Sequence, residues 1–180
     1  MNLHGPCRQE ARLEISPRQG RAIGKPSSVL PAARRPQPGR KSLLLVEPRD
    51  EDALVVKGTL RTAGIAMPIR IAQDLGVARA YLQGDSPFED RVRYPLPSIL
   101  MFQVRSAKKS GFDFLRWIRA QPRFRDIFLV VFVDGRKVGN IAQACRLGAD
   151  WFFTKPCRVE DIRKLAQSFP GYWSVSSRIA

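Results

Sequence analysis

The sequence predicts an α/β protein built on an open parallel sheet with helices on both faces. Three observations carry that expectation. Between Ser42 and Phe169, five short apolar runs alternate strictly with five stretches of helical periodicity, the pattern of strand–helix units joined by crossovers. One run, Ile127 to Val133, is apolar throughout, as expected of a central parallel strand covered on both faces. Of 180 residues, 44% are hydrophobic, enough to bury a sizeable core.

The elements follow in order. Leu43 to Val46 is a first strand, and the charged turn Glu47-Pro48-Arg49-Asp50 closes it. Ala53, Val56 and Leu60 then mark one face of a helix, with Asp50 as the candidate N-cap. Asp50, Glu51 and Asp52 in its first turn complement the helix dipole. Pro68 to Ala72 reads as a second strand. Asp74 caps a second helix with Leu75, Ala78 and Leu82 on one face. Gly84 to Pro97 is a polar, proline-containing loop. Ile99 to Val104 is a third strand, and Ser110 to Ala120 a helix with Phe112, Leu115 and Ile118 spaced by three. After the fourth strand, Val138, Ile141, Ala142 and Cys145 mark a helix that Gly148 ends. Trp151 to Thr154 is the fifth strand, and Val159, Ile162, Leu165, Ala166 and Phe169 line the fifth helix.

Three segments result: a tail over 1–41, a domain over 42–170 and a short C-terminal extension over 171–180. Six prolines and four glycines interrupt residues 1–41, so no helix or strand period survives there and the tail is expected to be disordered. It is also basic, with nine Lys/Arg against two acids, while residues 42–180 carry 22 against 14. The chain's net charge of +15 favours anionic partners such as nucleic acid, and bears on association rather than fold.

Composition removes most enzyme chemistry. His4 is the sole histidine and the cysteines are Cys7, Cys145 and Cys157, so neither a zinc site of normal spacing nor a histidine-dependent triad can be drawn. No disulfide framework is present, and no phosphate-binding glycine motif either. Cys145 lies on an apolar helix face and reads as core. The longest apolar run is far short of the ~20 residues of a membrane helix, and no signal peptide opens the chain. A cytoplasmic protein without cofactor or metal, and not an enzyme, is expected.

Sheets of this class carry their sites beyond the carboxyl ends of the strands, where strand order reverses. Those ends are Glu47, Gln103, Val133 and Lys155. Leu43-Leu44-Leu45-Val46-Glu47, Asp74 with Ala78 and Leu82, Gly111-Phe112, and above all Leu147-Gly148-Ala149-Asp150-Trp151-Phe152-Phe153-Thr154-Lys155-Pro156 together resemble the receiver domain of bacterial response regulators. The long loop before Pro97 and the Tyr172-Trp173 ending are similar to the stand-alone, single-domain members. The resemblance implies a flavodoxin-like sheet of strand order 2-1-3-4-5.

In that family an aspartate ending the third strand accepts a phosphoryl group, two acids after the first strand hold magnesium, a Ser/Thr ends the fourth strand and a lysine ends the fifth. Carried over by position, Glu47 keeps the first acid and Lys155 the lysine. Pro48 stands at the second acid, Gln103 at the phosphoacceptor, Val133 at the hydroxyl residue and Ala107 at a loop proline. Phe152 falls at the switch-aromatic position. A carboxamide is no anionic nucleophile, Pro48 offers magnesium no side-chain oxygen, and Val133 has no hydroxyl to donate. The resemblance therefore implies a pseudo-receiver, a receiver fold without phosphoryl chemistry. Lys155 is then structural, with its stem in the crevice and its ammonium on Glu47. In an alternative, Gln103 hydrogen-bonds Lys155 and locks one state.

Two functions stay open. The first is a protein-interaction module of two-component, phosphorelay signalling. Its partner would be a histidine kinase, a phosphotransfer protein or another regulator, or a downstream target docked through the face of the fourth and fifth helices. The alternative is a binder of nucleic acid or an anionic surface, using the basic tail and a patch of Lys108, Lys109, Arg116, Arg119, Arg123 and Arg125 beside Trp117. No helix-turn-helix or zinc finger accompanies the patch.

Overall fold

A computed structural model describes residues 4–6, 41–104, 110–133 and 138–176. The five parallel strands are β2 (Leu43–Val46), β3 (Ile69–Ala72), β4 (Ile99–Gln103), β5 (Phe128–Val133) and β6 (Trp151–Thr154). They lie in the order β3-β2-β4-β5-β6, which is 2-1-3-4-5 when counted from β2. The helices are α1 (Asp50–Thr62), α2 (Leu75–Gln83), α3 (Ser110–Ala120), α4 (Val138–Arg146) and α5 (Val159–Ser168).

Alternation along the strands sorts the core into two layers. Leu43, Leu45, Met101, Val130 and Phe153 point to one face, where Ala53, Val56 and Leu60 of α1 meet Ile162 and Leu165 of α5. Leu44, Val46, Phe102, Val131 and Phe152 point to the other, under Ala78 of α2, Leu115 of α3 and Ile141 of α4. Every residue of β5 is buried, as its uninterrupted apolar run requires.

Helix ends obey local chemistry. The Asp74 carboxylate accepts from the Val77 N–H at 2.8 Å, satisfying an orphan donor of α2. The N-cap of α1 is Arg49, with Asp50 already helical, one residue earlier than the predicted cap. The acids of that first turn compensate the absent cap through the dipole. Past α4, Gly148 takes φ +97°, and Ala149 N–H returns to Ala144 O at 3.0 Å.

Two terminal segments depart from expectation. His4–Pro6 forms β1, which pairs antiparallel with β6 through His4 and Phe153, Gly5 and Phe152, Pro6 and Trp151. Proline and glycine do not prevent this, because an edge strand can leave one position without an N–H donor. Residues 7–40, including Cys7, lie outside the described residues. At the other end, Tyr172 and Trp173 are buried, so residues 171–176 are part of the domain rather than an appendage. Ala66 N–H bonds Ser174 O at 2.8 Å and Ser176 N–H bonds Gly64 O at 2.8 Å. Lys41 Nζ donates to Trp173 O at 2.8 Å, tying the segment before β2 to the same corner.

Candidate functional site

The carboxyl ends of β2, β4, β5 and β6 bring Glu47, Gln103, Val133 and Lys155 to one end of the sheet. Glu47 follows β2 directly, and its N–H bonds Ala72 O at 3.0 Å. That bond fixes the backbone while the side chain, only 3% exposed, turns inward. Lys155 Nζ donates to Glu47 Oε2 at 2.5 Å and stands 5.4 Å from the Phe132 ring centroid. A buried carboxylate is costly unless a cation sits against it, and Lys155 supplies that cation across the width of the sheet.

A second acid joins the pair. Asp52 Oδ2 lies 3.6 Å from Lys155 Nζ and takes an ion pair from Arg49 at 2.5 Å. The Arg49 hydrogen bond first, and then the Lys155 charge, hold the Asp52 carboxyl below the usual carboxylate range. The sequence placed Asp52 at a helix dipole, with a metal role as the lesser alternative, and not beside Lys155. The spacing of three from Arg49 signals their pairing, whereas the approach of Lys155 is a tertiary contact with no local signature.

The remaining positions supply no ionic chemistry. Pro48 is exposed, Gln103 half-buried and Val133 buried. Among the described residues no hydrogen bond joins Gln103 to Lys155, whose ammonium faces the two carboxylates instead. Gly111, at the start of α3, packs so closely that a Cβ there would sit 2.7 Å from Gln103 O. The end of β4 is thus clamped from behind. Phe152 is buried at 2% exposure and packs toward α4.

As a divalent-cation site these donors fit poorly. Magnesium needs several oxygens, with carboxylates among them. Here one carboxylate is held by Lys155, the neighbouring proline has no side-chain donor and the third group is a neutral amide. Among the described residues, no group of three or more His, Cys, Asp or Glu converges as a metal would require.

The predicted basic patch divides. Arg119 is an internal tie: its Nε donates to Gly148 O at 2.8 Å, Nη1 to Ile127 O at 3.0 Å and Nη2 to Asp150 Oδ2 at 2.5 Å. Asp150 Oδ2 also accepts from Leu129 N–H at 2.8 Å, so α3, β5 and β6 meet there. Helical spacing placed Arg119 with its neighbours, but the pull of buried carbonyls and Asp150 turns it inward. Arg116 pairs with Asp113 at 2.8 Å. Arg123 and Arg125 stay exposed, while Lys108, Lys109 and Ala107 lie outside the described residues. Cys145 is half-buried beside the core, and no described helix is long and apolar enough to cross a membrane.

Known proteins share this fold. No family model matches the chain. Response regulator Rcp1 of Synechocystis is 26% identical over 133 residues, covering 74% of this chain and 88% of Rcp1. A response regulator in red light signalling of R. palustris superposes with a TM-score of 0.66 at 23% identity, covering 76% of this chain and 99% of that one. The Mn(2+)-bound form of Rcp1 superposes at 0.58 with 25% identity, covering 76% and 99%. The fold is that of receiver domains, and these similarities support the response-regulator family.

Proposed function

We propose that this chain is a phosphorylation-independent receiver, a protein-interaction module of two-component signalling. Its partner class is a histidine kinase, a phosphotransfer protein or another regulator. The observation that carries the reading is the Glu47–Lys155 ion pair at the sheet's carboxyl end, with Pro48, Gln103 and Val133 around it. A phosphoryl group would need an anionic nucleophile, a cation to offset its charge and a free lysine. A carboxamide, a proline and a lysine engaged by two carboxylates supply none of these. Similarity to response regulators supports the pathway class.

The test is incubation of the full chain with radiolabelled acetyl phosphate and magnesium, followed by amide spectra with and without the metal. No incorporated label and unchanged amide shifts are expected. A base-labile acyl phosphate on the chain would falsify the reading. Affinity capture from nuclease-treated native lysate then names the partner, and recovery of a histidine kinase, phosphotransfer protein or second regulator is the expected result.

A further inference from the structure

A row of alternating arginine and aromatic side chains crosses α2, α3 and the turn that follows α3. The Arg79 guanidinium lies 4.5 Å from the Trp117 ring centroid. Trp117 stacks on Phe114 at 5.5 Å and 25° and leans on Phe124 at 5.6 Å. At the far end, the Arg123 guanidinium lies 4.6 Å from the Phe124 centroid. Phe114 and Phe124 are buried, Trp117 is half-buried, and both arginines are exposed. Among the described residues, neither arginine side chain enters an ion pair or a hydrogen bond.

A guanidinium braced over a ring can still turn its N–H edge to a ligand. That edge is a rigid fork of donors matched to phosphate or carboxylate oxygens. Bracing on an aromatic also lowers the rotamer entropy lost when the fork engages a ligand. Arg125, exposed two residues beyond Arg123, adds charge, while Arg116 is offset by Asp113 and Asp126 is the other acid of this stretch.

The kind of ligand follows from what this face lacks. The exposed large hydrophobic residues are Leu54, Val55, Ile71, Val77, Val92 and Val175; none comes from α3 or the turn after it, and among the described residues α2 contributes Val77 alone, at 38%. A protein interface has an apolar or aromatic core, and a membrane-binding helix presents an apolar face. With its rings buried or half-buried under two exposed guanidinium groups, the row presents charge rather than an open apolar core and matches a polyanion with repeating phosphates, drawn in by the chain's net charge of +15. We propose that the Arg79–Trp117–Phe124–Arg123 row binds the phosphate backbone of single-stranded nucleic acid. This is independent of the state of the Glu47–Lys155 crevice.

The experiment uses the full chain and a fluorescent single-stranded DNA oligonucleotide, with anisotropy read from about 50 to about 200 mM salt. Because residues 1–41 are basic and contribute affinity of their own, the readout is the slope of log K against log salt. The slope should shrink by about 0.7 in Arg123→Gln and about 1.4 in the Arg79→Gln/Arg123→Gln pair. Affinity near 0.1 M salt should fall on the order of tenfold in the double variant. The Arg79→Lys/Arg123→Lys pair keeps the charge and should keep the slope. Thermal melts check that each variant is folded, and Arg123→Gln alone carries the test if the double variant is not.

Absence of binding by the native chain at low salt overturns the proposal. So does an unchanged slope in the glutamine variants, which would move binding to the tail. Equal loss in the lysine pair would show that the row acts through packing. Competition by polyglutamate as effective as unlabelled DNA would replace nucleic acid with an acidic protein segment.

Discussion

Glu47 sets the requirements of the crevice. It is a carboxylate with a 3% exposed side chain, and Lys155, 28% exposed, is the cation against it. Lys155→Met should cost about 2–3 kcal/mol, toward the low end for a broken buried pair because the lysine keeps some solvent. Replacing both partners, Glu47→Gln with Lys155→Met, should recover much of that loss, since a neutral pair leaves no buried charge. Urea unfolding of the four proteins of the cycle measures the coupling, and additive losses would disprove the pairing. Two residues beyond Lys155, Cys157 responds to pH. Burial, and then the negative charge of Asp161, push its thiol up to about 11 from an ordinary value near 9. The unfolded chain therefore ionises first. The associated stability is fully present below about pH 9 and is lost as pH rises toward 11. Urea midpoints at pH 8 and 10.5 should drop further for the native chain than for Cys157→Ala. A parallel drop in both would mean the thiol is not involved.

Among the elements, the sheet edges show where local pattern suffices and where it does not. The five helices are legible because each carries its own period, and the five parallel strands because each is a short apolar run. β1 was hidden, since three residues ending in proline have no pattern to read. It exists because β6 has an open edge. Asp150 N–H bonds Leu129 O on the β5 side at 2.9 Å, so alternation turns the backbone groups of Trp151 and Phe153 outward toward β1. Opposite Trp151, Pro6 has no N–H to give, so the cap is weaker than three residues of ordinary ladder. Deleting residues 1–6 should speed hydrogen exchange at the Trp151 and Phe153 amides and leave Phe152 protected by β5. Equal protection with and without the segment would show that β1 does not cover the edge. Arg119 carries a similar lesson. Its helix position was legible, but its partners sit just before β5, just before β6 and after α4, and only the folded chain brings them within reach.

For the whole molecule, the strand ends that form the crevice could be read because topology fixes where strands finish. What each residue does there depends on depth. Asp52 joins Lys155, and Gln103 does not, through the packing of α1 and α3 against the sheet. The C-terminal segment is the strongest case of a role invisible to periodicity. Residues 171–176 have no repeat, yet Trp173 is 2% exposed in the layer shared by α1 and α5. Its carbonyl accepts from Lys41 Nζ at 2.8 Å, and the Tyr172 carbonyl accepts from Ser98 Oγ at 3.3 Å. The Ile65–Val175 bridge closes the same corner. This corner lies at the amino ends of β2 and β4, opposite the crevice, so it holds the sheet together without touching Glu47 or Lys155. Trp173→Ala removes a large buried ring and should cost about 3–5 kcal/mol. The loss should appear as a single cooperative shift in urea, with the resonances of Glu47 and Lys155 unmoved in the folded state at low denaturant. A separate early transition would instead mean that residues 171–176 unfold on their own and the five-stranded unit stands without them.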